Sequence, residues 1–305
     1  MAASMTRARY GTQTSPQWVF NLRFAILHLG ALGIFFVPFD RSLVWLAVAM
    51  YVPRMFGVTA GYHRYFSHRT FKTSRAFQFV LALLATLSGQ RGILWWGALH
   101  REHHRYSDQA GDVHSPGVGG FWRGHMGYLF EAKNSVTDLD RIPDFSRFPE
   151  LRWLNKYYYI PVYGLLLGLY AAGETGWLGA QITGWQAVIW GFFVSTVALL
   201  HVVLSVNSIC HMQGRYGGTR RFATDDASVN HAWVALFTLG EGWHNNHHRY
   251  PAAARNGFAW WELDMTYLLL RMLEGLGVVR ELRRVPNDVL EEGGLRPRRQ
   301  RTFSR

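Results

Sequence analysis

The chain has 305 residues, of which 49% are hydrophobic and 15% aromatic, and its formal net charge is +12. Its single cysteine excludes an intrachain disulfide framework and a cysteine-based metal cage. A basic balance of this size is typical of proteins that bind nucleic acid or an anionic membrane surface. Long apolar runs favour the membrane, so we predict no nucleic-acid partner.

Four stretches are apolar and long enough to cross a bilayer, which takes about 20 residues. We predict these crossings at residues 18–39, 43–62, 157–172 and 185–206. The first contains Arg23 and His28, although an ionisable group at the bilayer centre costs roughly 3 kcal/mol or more. Arg54 lies near the end of the second, where an arginine can reach the interface at lower cost.

A fifth apolar stretch, residues 76–87, is short for a crossing and suits an interfacial or buried helix. If it does not cross, the histidine-rich segments at 63–68 and 100–106 lie on the same side of the membrane. The third and fourth crossings then return the chain to that side before His211 and residues 241–250. All the histidine clusters are therefore predicted to face one compartment.

Charge bias indicates which compartment this is. The two loops on the opposite side, residues 39–42 and 173–184, contain only one basic residue, Arg41, and nearly all other Lys and Arg lie on the histidine side. By the positive-inside rule that side is cytoplasmic, together with both termini. The basic residues 276–305 are predicted to form a solvated tail, with contact to anionic membrane lipids as the alternative.

Nine of the fourteen histidines lie in four short segments: an H-x4-H pair, two identical H-x-x-H-H boxes about 144 positions apart, and one isolated residue. Helical residues at i, i+3 and i+4 share one face, so each box can aim two or three imidazoles at one point. We predict that the metal ligands are His63, His68, His100, His103, His104, His211, His244, His247 and His248.

Nine imidazoles are too many for one ion and suit two metals. Imidazole binds zinc, copper, iron or nickel, so the ligand type alone does not choose between them. A zinc hydrolase usually keeps three protein ligands and an open position, and zinc has no redox role. A pair of redox metals can activate dioxygen and attack an unactivated C–H bond, which favours two iron ions (Fe2+) and an apolar substrate.

Other polar and aromatic residues near the boxes are assigned supporting roles. Asn207 precedes His211 by four residues, so we predict that it holds a metal-bound water or orients a ligand. Trp96 precedes His100 by four residues and is a candidate for lining a substrate tunnel, with core packing as the alternative. His28 and His201 lie inside crossings and are expected to be packed or hydrogen-bonded rather than to bind metal.

The chain resembles the membrane fatty-acid desaturases, the stearoyl-type Δ9 family, over about residues 57–270. The resemblance rests on "GYHRYFSH", "HREHHRYSD", "GDVHSPGVGGFWRGHMGYLF", "NSICH" and "GEGWHNNHHRYP", in this order. It implies four transmembrane helices, a cytosolic helical cap, a di-iron site and a narrow kinked tunnel for an acyl chain. The nine histidines match the metal ligands of that family, and Asn207 matches its water-holding asparagine.

One departure from the family bears on the substrate. In the animal acyl-CoA members an Arg-Asp pair before the second box helps to hold the CoA head group, and here those positions are Ala98 and Leu99. The basic pair expected after "GHMGYLF" is also missing, since residues 131–133 read Glu-Ala-Lys. The chain is thus more similar to bacterial and cyanobacterial relatives, some of which use lipid-linked chains. Acyl-CoA stays open as the alternative, through Arg91, Arg101 or Lys133.

We therefore predict an all-α membrane protein with four transmembrane helices and a cytosolic helical cap that holds a histidine-rich di-iron site. Residues 1–17 form a cytosolic segment, 18–275 the desaturase domain and 276–305 the tail. The function is insertion of a cis double bond, at Δ9, into a saturated acyl chain. The alternative is a related lipid or alkane hydroxylase with similar boxes.

The electron donor is expected to be a separate protein, of the ferredoxin or cytochrome b type with its reductase. The sequence contains no fused haem domain, no ferredoxin cysteine set and no dinucleotide-binding fingerprint. The expected location is the bacterial inner membrane, which the chain crosses several times with its active site on the cytoplasmic side.

Overall fold

A computed structural model shows a mostly helical chain and describes residues 11–13 and 16–297. The predicted N-terminal segment and the end of the predicted basic tail lie largely outside these residues. The helices are α1 (Gln17–Ala31), α2 (Arg41–Phe56), α3 (Arg75–Thr86), α4 (Ile93–Tyr106), α5 (Pro116–His125), α6 (Pro143–Ser146), α7 (Pro149–Lys156), α8 (Tyr159–Glu174), α9 (Gly184–Gln186), α10 (Ser195–Ser208), α11 (Ala232–Phe237), α12 (His244–Arg249), α13 (Met265–Gly275) and α14 (Asn287–Glu292).

Two pairs of short antiparallel strands complete the described secondary structure. Strand β1 (Gly11–Gln13) pairs with β3 (Val136–Asp138), and β2 (Lys72–Thr73) pairs with β4 (Val279–Arg280). Both pairs join segments that are far apart in sequence, so they fasten loops to the helical body rather than form a sheet core.

Three continuous helices are long and apolar enough to cross a membrane: Gln17–Phe35, Arg41–Ser67 and Gly184–His211. They coincide with three of the four predicted crossings. The second continues α2 through a π-helix (Gly57–Ser67), and the third joins α9, a π-helix (Ala187–Val194), α10 and a final 3-10 turn. Their apolar composition, with charges kept to a few positions, explains why they form long uninterrupted helices.

The remaining predicted crossing forms α8, which is shorter than the other three. Its 16 residues rise about 24 Å, against a hydrocarbon core of about 30 Å. The fifth apolar stretch forms α3, whose 12 residues rise only about 18 Å. This short helix lies against the π-helix that follows α2 rather than extending along a full crossing.

The backbones of α3 and the π-helix are in direct contact. A Cβ atom placed on Gly57 would lie 2.5 Å from the carbonyl carbon of Leu84, and one on Gly61 would lie 3.0 Å from the carbonyl oxygen of Leu81. Only glycine fits these two positions, which are four residues apart and so share one helix face. The close approach holds the end of the π-helix, and therefore His63, in a defined place.

Arg54 is buried between helices rather than exposed near a helix end. It lies 13 residues before the end of its continuous helix and is only 3% exposed. Its guanidinium donates to the hydroxyl oxygens of Ser195 and Thr196, at 2.6 Å each, and to the carbonyl of Met50. The interhelical hydrogen bonds replace the water that an arginine at the interface would find.

Helix α4 is held at both of its ends by polar side chains. Asn155 accepts hydrogen bonds from the backbone N–H groups of Leu94 and Trp95 in the first turn. Further along, Arg101 makes a two-pronged pair with Asp144 and also donates to the carbonyls of Phe66 and Ser67. These contacts fix the second histidine box relative to the end of the π-helix.

A buried arginine connects the π-helix to the C-terminal part of the cap. Arg64 is 1% exposed, lies 3.0 Å from the carboxylates of both Glu241 and Asp264, and donates to the carbonyl of Ala254. Asp264 in turn accepts from the backbone of Tyr267 at the start of α13. One cation therefore holds three chain segments together.

The first part of the predicted basic tail is folded onto the cap. Val279, Leu282, Val285, Val289 and Leu290 are all buried. Strand β4 pairs with β2, and α14 packs against an apolar cluster. The predicted boundary at residue 276 is therefore too early, because apolar residues spaced along residues 279–290 supply buried side chains that a solvated tail would lack.

Replacing Arg64 with alanine is expected to destabilise the protein strongly. The change leaves two carboxylates buried without their cation, which typically costs about 3–5 kcal/mol. The thermal denaturation midpoint in detergent measures the effect. As a matched control, Arg75→Ala removes an exposed arginine paired with Glu150 and should shift the midpoint little. Equal shifts for the two variants would contradict the role given to Arg64.

Candidate metal centre

All nine predicted histidines converge at one end of the molecule and form two groups. The first group contains His63, His68, His100, His104 and His247, and the second contains His103, His211, His244 and His248. Within each group the ligand nitrogens all lie within 4.8 Å of one another. The geometry is that of two adjacent metal sites rich in nitrogen donors.

Each H-x-x-H-H box contributes to both groups. In α4, His100 and His104 belong to the first group and His103 to the second. In α12 the assignment is reversed, since His244 and His248 belong to the second group and His247 to the first. Residues i and i+4 differ by about 40° around a helix, whereas i+3 and i+4 differ by about 100°.

Each H-x-x-H-H box can therefore direct its imidazoles to two separate points from a single helix turn. Two such helices facing each other supply three imidazoles to each point. The remaining donors come from the ends of the long helices, with His63 and His68 following α2 and His211 following α10. This division explains why the chain carries the same pattern twice.

The spacing of the nitrogens fits a metal ion with ligands at right angles. Neighbouring Nε2 atoms lie 2.9–3.0 Å apart in both groups. Ligands about 2.1 Å from an ion would be about 3.0 Å apart at right angles and about 3.4 Å apart at the tetrahedral angle. Moreover, Nε2 of His103 is buried without a hydrogen-bond partner among the described residues, as expected of a donor that awaits a metal.

In four of these rings the second nitrogen, Nδ1, lies against a carboxylate. Nδ1 of His63 lies 2.5 Å from Glu241, and Nδ1 of His211 lies 2.8 Å from Asp108. The same atom of His103 lies 3.0 Å from Asp112, and that of His248 lies 2.6 Å from Asp226. Because a carboxylate accepts the Nδ1 proton, the lone pair of Nε2 is left to face the metal.

Of these four acids, Glu241 lies three residues before the third box, so the sequence favours a role for it in a turn or behind a ligand. The sequence also carries a signal for Asp108 and Asp112, because they follow the second box by about one and two helix turns. Asp226 lies 22 residues before His248 and carries no local signal. Only the packed structure brings it to the site.

The protonation states suit metal binding. Burial, reinforced by neighbouring histidines, lowers the pKa well below its usual value for six rings: His68, His100, His103, His104, His244 and His247. Burial acts to raise the pKa of Asp108, Asp226 and Glu241, but hydrogen bonds and nearby cationic groups outweigh it and hold each pKa below its usual value. Neutral imidazoles backed by carboxylates are the form that binds a cation.

An apolar cavity leads to the first group. Its wall reaches His100 and Asn207 and is otherwise formed mainly by apolar and aromatic side chains of α1, α4, α8 and α10. Trp96 lies on this wall, and its ring stacks on that of His100 with centroids 5.0 Å apart. Asn207 also lies on the wall, where its side-chain amide donates to the hydroxyl of Tyr128 at 3.2 Å.

The two histidines within the crossings belong to a separate chain of hydrogen bonds. His201 bonds through Nε2 to His28 at 2.9 Å and through Nδ1 to His125 at 3.0 Å. His125 also bonds to the hydroxyl of Ser208. These rings bond to one another and join α1, α5 and α10, and none of them is in either metal group.

Comparison with known proteins points to one family. The family model described as fatty acid desaturase matches residues 40–279. An sn-1 stearoyl-lipid 9-desaturase of Anabaena variabilis is 37% identical over 278 residues, which cover 89% of this chain and 96% of the relative. An sn-1 stearoyl-lipid 9-desaturase of Synechocystis sp. is 34% identical, with 90% and 83% covered. An acyl-CoA C20 Delta5-desaturase of Anemone leveillei is 33% identical, with 87% and 83% covered.

Changing Asp226 to asparagine is expected to weaken metal binding at the second group only. His248 loses the carboxylate that orients it, and loss of such a partner typically lowers metal affinity roughly 10- to 100-fold. Titration of metal-free protein with Fe2+ or Co2+ against a competing chelator measures both sites. The control is Asp140→Asn at an exposed position. Two unchanged affinities in the Asp226 variant would show that this carboxylate does not support a metal ligand.

Proposed function

The chain belongs to the fatty acid desaturase family and is an oxidoreductase that acts on acyl chains, and from this premise we propose that it inserts a cis double bond at Δ9 of a saturated, lipid-linked chain. The observation that carries the proposal is the position of the first histidine group, which lies beside the second, at the end of an apolar cavity. The relatives with the highest identities quoted above are named for Δ9 action on stearoyl lipids, which supports both the position and the linkage.

We propose that each group holds one iron ion. The first group offers five imidazoles, one more than a tetrahedral zinc site accepts, and its neighbouring nitrogens are spaced for ligands at right angles. The nine histidines are the proposed ligands, and Asn207 is the proposed holder of a metal-bound water. Bound iron would supply activation of dioxygen, and a separate ferredoxin or cytochrome b type protein would supply two electrons.

The residues of the chain itself position the substrate, hold the Nδ1 protons of the ligand rings and exclude water. Removing two hydrogens from the chain consumes one dioxygen, two electrons and two protons and yields two waters. Trp96 stacks on His100 and presents a flat apolar face to the cavity, so it directs an acyl chain past the first group. The carboxylates on Nδ1 keep the rings oriented throughout, and the apolar wall excludes bulk water.

The charges near Ala98 and Leu99 support a lipid-linked substrate. These two residues line a cleft that also contains Arg123, Lys133 and Arg141. Each of the three cations already has a carboxylate partner, at 2.8 Å and 3.0 Å from Glu131 and at 2.5 Å from Glu102, respectively. Arg123 and Lys133 share the single carboxylate of Glu131, so the phosphates of CoA would compete with this carboxylate for both cations.

The two other arginines that could bind CoA differ from each other. Arg101 is occupied by Asp144 and by backbone carbonyls, so its guanidinium is structural. Arg91 is buried on the cavity wall rather than exposed to a large polar head group. Neither offers a surface to the diphosphate of CoA.

We also propose four crossings with a cytoplasmic cap in the bacterial inner membrane. Helix α8 is short, but Ile160, Tyr163 and Leu167 on its outer face are exposed, which suits contact with lipid. Flanking residues or a locally thinned bilayer can accommodate the shorter apolar length. The enzyme domain, proposed at 18–275, extends at least through the folded residues 279–292.

The histidine assignment and the activity can be tested together. A host that makes saturated chains and expresses the protein with its electron donor should gain cis-Δ9 chains, measured by gas chromatography of its lipids. His247→Ala should abolish the product because the first group loses a donor, whereas His201→Ala should cost stability at most. Full activity in His247→Ala would overturn the site assignment.

The same preparation distinguishes the head group. Purified enzyme should convert phospholipid-bound chains at least as well as acyl-CoA, because the cleft beside Ala98 and Leu99 has no unpaired cation in its described lining. Turnover of acyl-CoA with none of lipid-linked chains would contradict the proposed substrate.

Sidedness can be tested by labelling introduced cysteines with a membrane-impermeant maleimide. The only native cysteine, Cys210, is buried and should give little background. Thr175→Cys in intact spheroplasts should be labelled, whereas Asp140→Cys should react only after the membrane is opened; both positions are exposed. Labelling of Asp140→Cys but not of Thr175→Cys in intact spheroplasts would show that the cap lies outside, and labelling of both would show that α8 does not cross.

A further inference from the structure

The wall of the apolar cavity contains a buried cation that has no carboxylate partner. Arg91 is 2% exposed and lines the same cavity as Trp96 and His100. No carboxylate lies within ion-pair distance of it among the described residues, and its Nε atom is buried without a hydrogen-bond partner. A buried guanidinium usually has its donors satisfied, so this one has capacity for a ligand.

The contacts that Arg91 does make hold it in place without neutralising it. Its Nη2 donates to the side chain of Gln17 at 3.2 Å and to the carbonyl of Leu129 at 3.4 Å, both long. The guanidinium lies over the rings of Phe20 and Trp95, at 4.0 and 5.0 Å from their centroids. Burial lowers the pKa of Arg91 to about 10, so the side chain remains charged at neutral pH.

The backbone at this point is also preorganised. Arg91 has φ = +66°, a left-handed conformation that non-glycine residues seldom adopt outside sites that require it. Its carbonyl accepts a hydrogen bond from the hydroxyl of Tyr62 at 2.8 Å. The next residue, Gly92, lies so close to Asn155 that a Cβ would be 2.3 Å from its side-chain oxygen. These contacts fix the direction in which the guanidinium enters the cavity.

We propose that Arg91 binds the carbonyl oxygen of the acyl group and thereby sets which carbons lie beside the metal centre. The proposal rests on the proposed desaturase function and adds the polar anchor of its substrate. An ester, a thioester and a free acid share this oxygen. The wall also contains Arg23, which is only partly buried and donates to the hydroxyl of Tyr158. A charge-assisted hydrogen bond from the buried Arg91 to the carbonyl oxygen would distinguish one end of an acyl chain from the other.

The distance along α4 agrees with a Δ9 position. His100 lies eight residues after Gly92, the residue next to Arg91, and eight helical residues rise about 12 Å. Eight C–C bonds of about 1.5 Å join C1 to C9, and in an extended chain they advance roughly 10 Å. The two lengths agree to within about 2 Å, so a carbonyl held by Arg91 would place the carbons near C9 of an 18-carbon chain at the level of His100.

Binding to metal-free protein tests the anchor without any need for turnover. The probes are methyl stearate, stearic acid, stearoyl-CoA and octadecane, which has the same chain length but no carbonyl. Wild-type protein should bind methyl stearate roughly tenfold more tightly than octadecane, as expected for one charge-assisted hydrogen bond. Arg91→Gln should bind the two equally, whereas Arg152→Gln, at an exposed position of α7, should discriminate like wild type.

The position of the double bond provides the second readout. The Arg91→Gln variant loaded with iron should give a mixture of double-bond positional isomers, because the acyl chain can slide along the cavity. Arg91→Lys keeps the charge on a side chain one atom shorter, so it should retain discrimination in binding and shift the main isomer. If Arg91→Gln does not fold, the Arg91→Lys variant still tests the role of Arg91. Stearic acid and stearoyl-CoA show whether an ester is required or any carbonyl suffices.

The outcomes separate this proposal from the function on which it rests. Wild-type protein that makes no double bond would contradict the desaturase proposal, while the binding comparison would still decide the role of Arg91. Equal binding of octadecane and methyl stearate by wild type would overturn the anchor. So would an Arg91→Gln variant that keeps both the discrimination and a single isomer.

Discussion

The structure depends on enclosing nine imidazoles, five in buried residues and four in partly buried ones, with the same nitrogen, Nε2, turned towards two points. A buried polar atom without a partner is costly, and each ring has two nitrogens to satisfy. Carboxylates accept the Nδ1 proton of four rings, which leaves Nε2 free for a metal. The carboxylates are themselves buried and need cations or donors, and this need extends the network into the fold, most directly through Glu241 and Arg64.

The long helices connect this network to the membrane. The continuous helices Arg41–Ser67 and Gly184–His211 contain 27 and 28 residues and rise about 40 and 42 Å, which exceeds the roughly 30 Å of a hydrocarbon core. Each helix is therefore at least about 10 Å longer than such a core, and His63 and His211 lie in the last turns. Close backbone packing at Gly57 and the hydrogen bonds of Arg54 to α10 fix where these ends lie relative to the neighbouring helices.

One mostly apolar cavity reaches the first histidine group, and under the proposed function its polar groups would define positions along an acyl chain. His100 and Asn207 would mark the reactive end, whereas Arg91 lies near the first turn of α1, against Gln17 and Phe20. Since apolar walls hold a hydrocarbon chain without fixing its register, polar contacts at defined points must do so. The same histidine site could then serve chains desaturated at different positions, depending on where the carbonyl is held.

Local spacing in the sequence predicted the nine histidines that we propose as metal donors. Histidines at i, i+3 and i+4 share a helix face, so both boxes could be predicted to converge, and the apolar runs located three long membrane helices. Spacing could not determine which metal each ring faces. Assigning His103 apart from His100 and His104 requires the relative placement of α4 and α12, which depends on packing between segments about 140 residues apart.

Tertiary structure alone decided the partners of the buried charges. Asp226 supports His248 across 22 residues, and Arg64 meets Asp264 across 200, pairings that no local pattern announces. Arg54 resembled an arginine near a helix end until α10 supplied two hydroxyl acceptors. From the sequence Arg91 was a candidate for binding CoA, and only the packed structure encloses it between aromatic rings and the cavity wall. Periodicity along one segment specifies which residues face together, but the partner of a buried charge depends on which other segment packs against it.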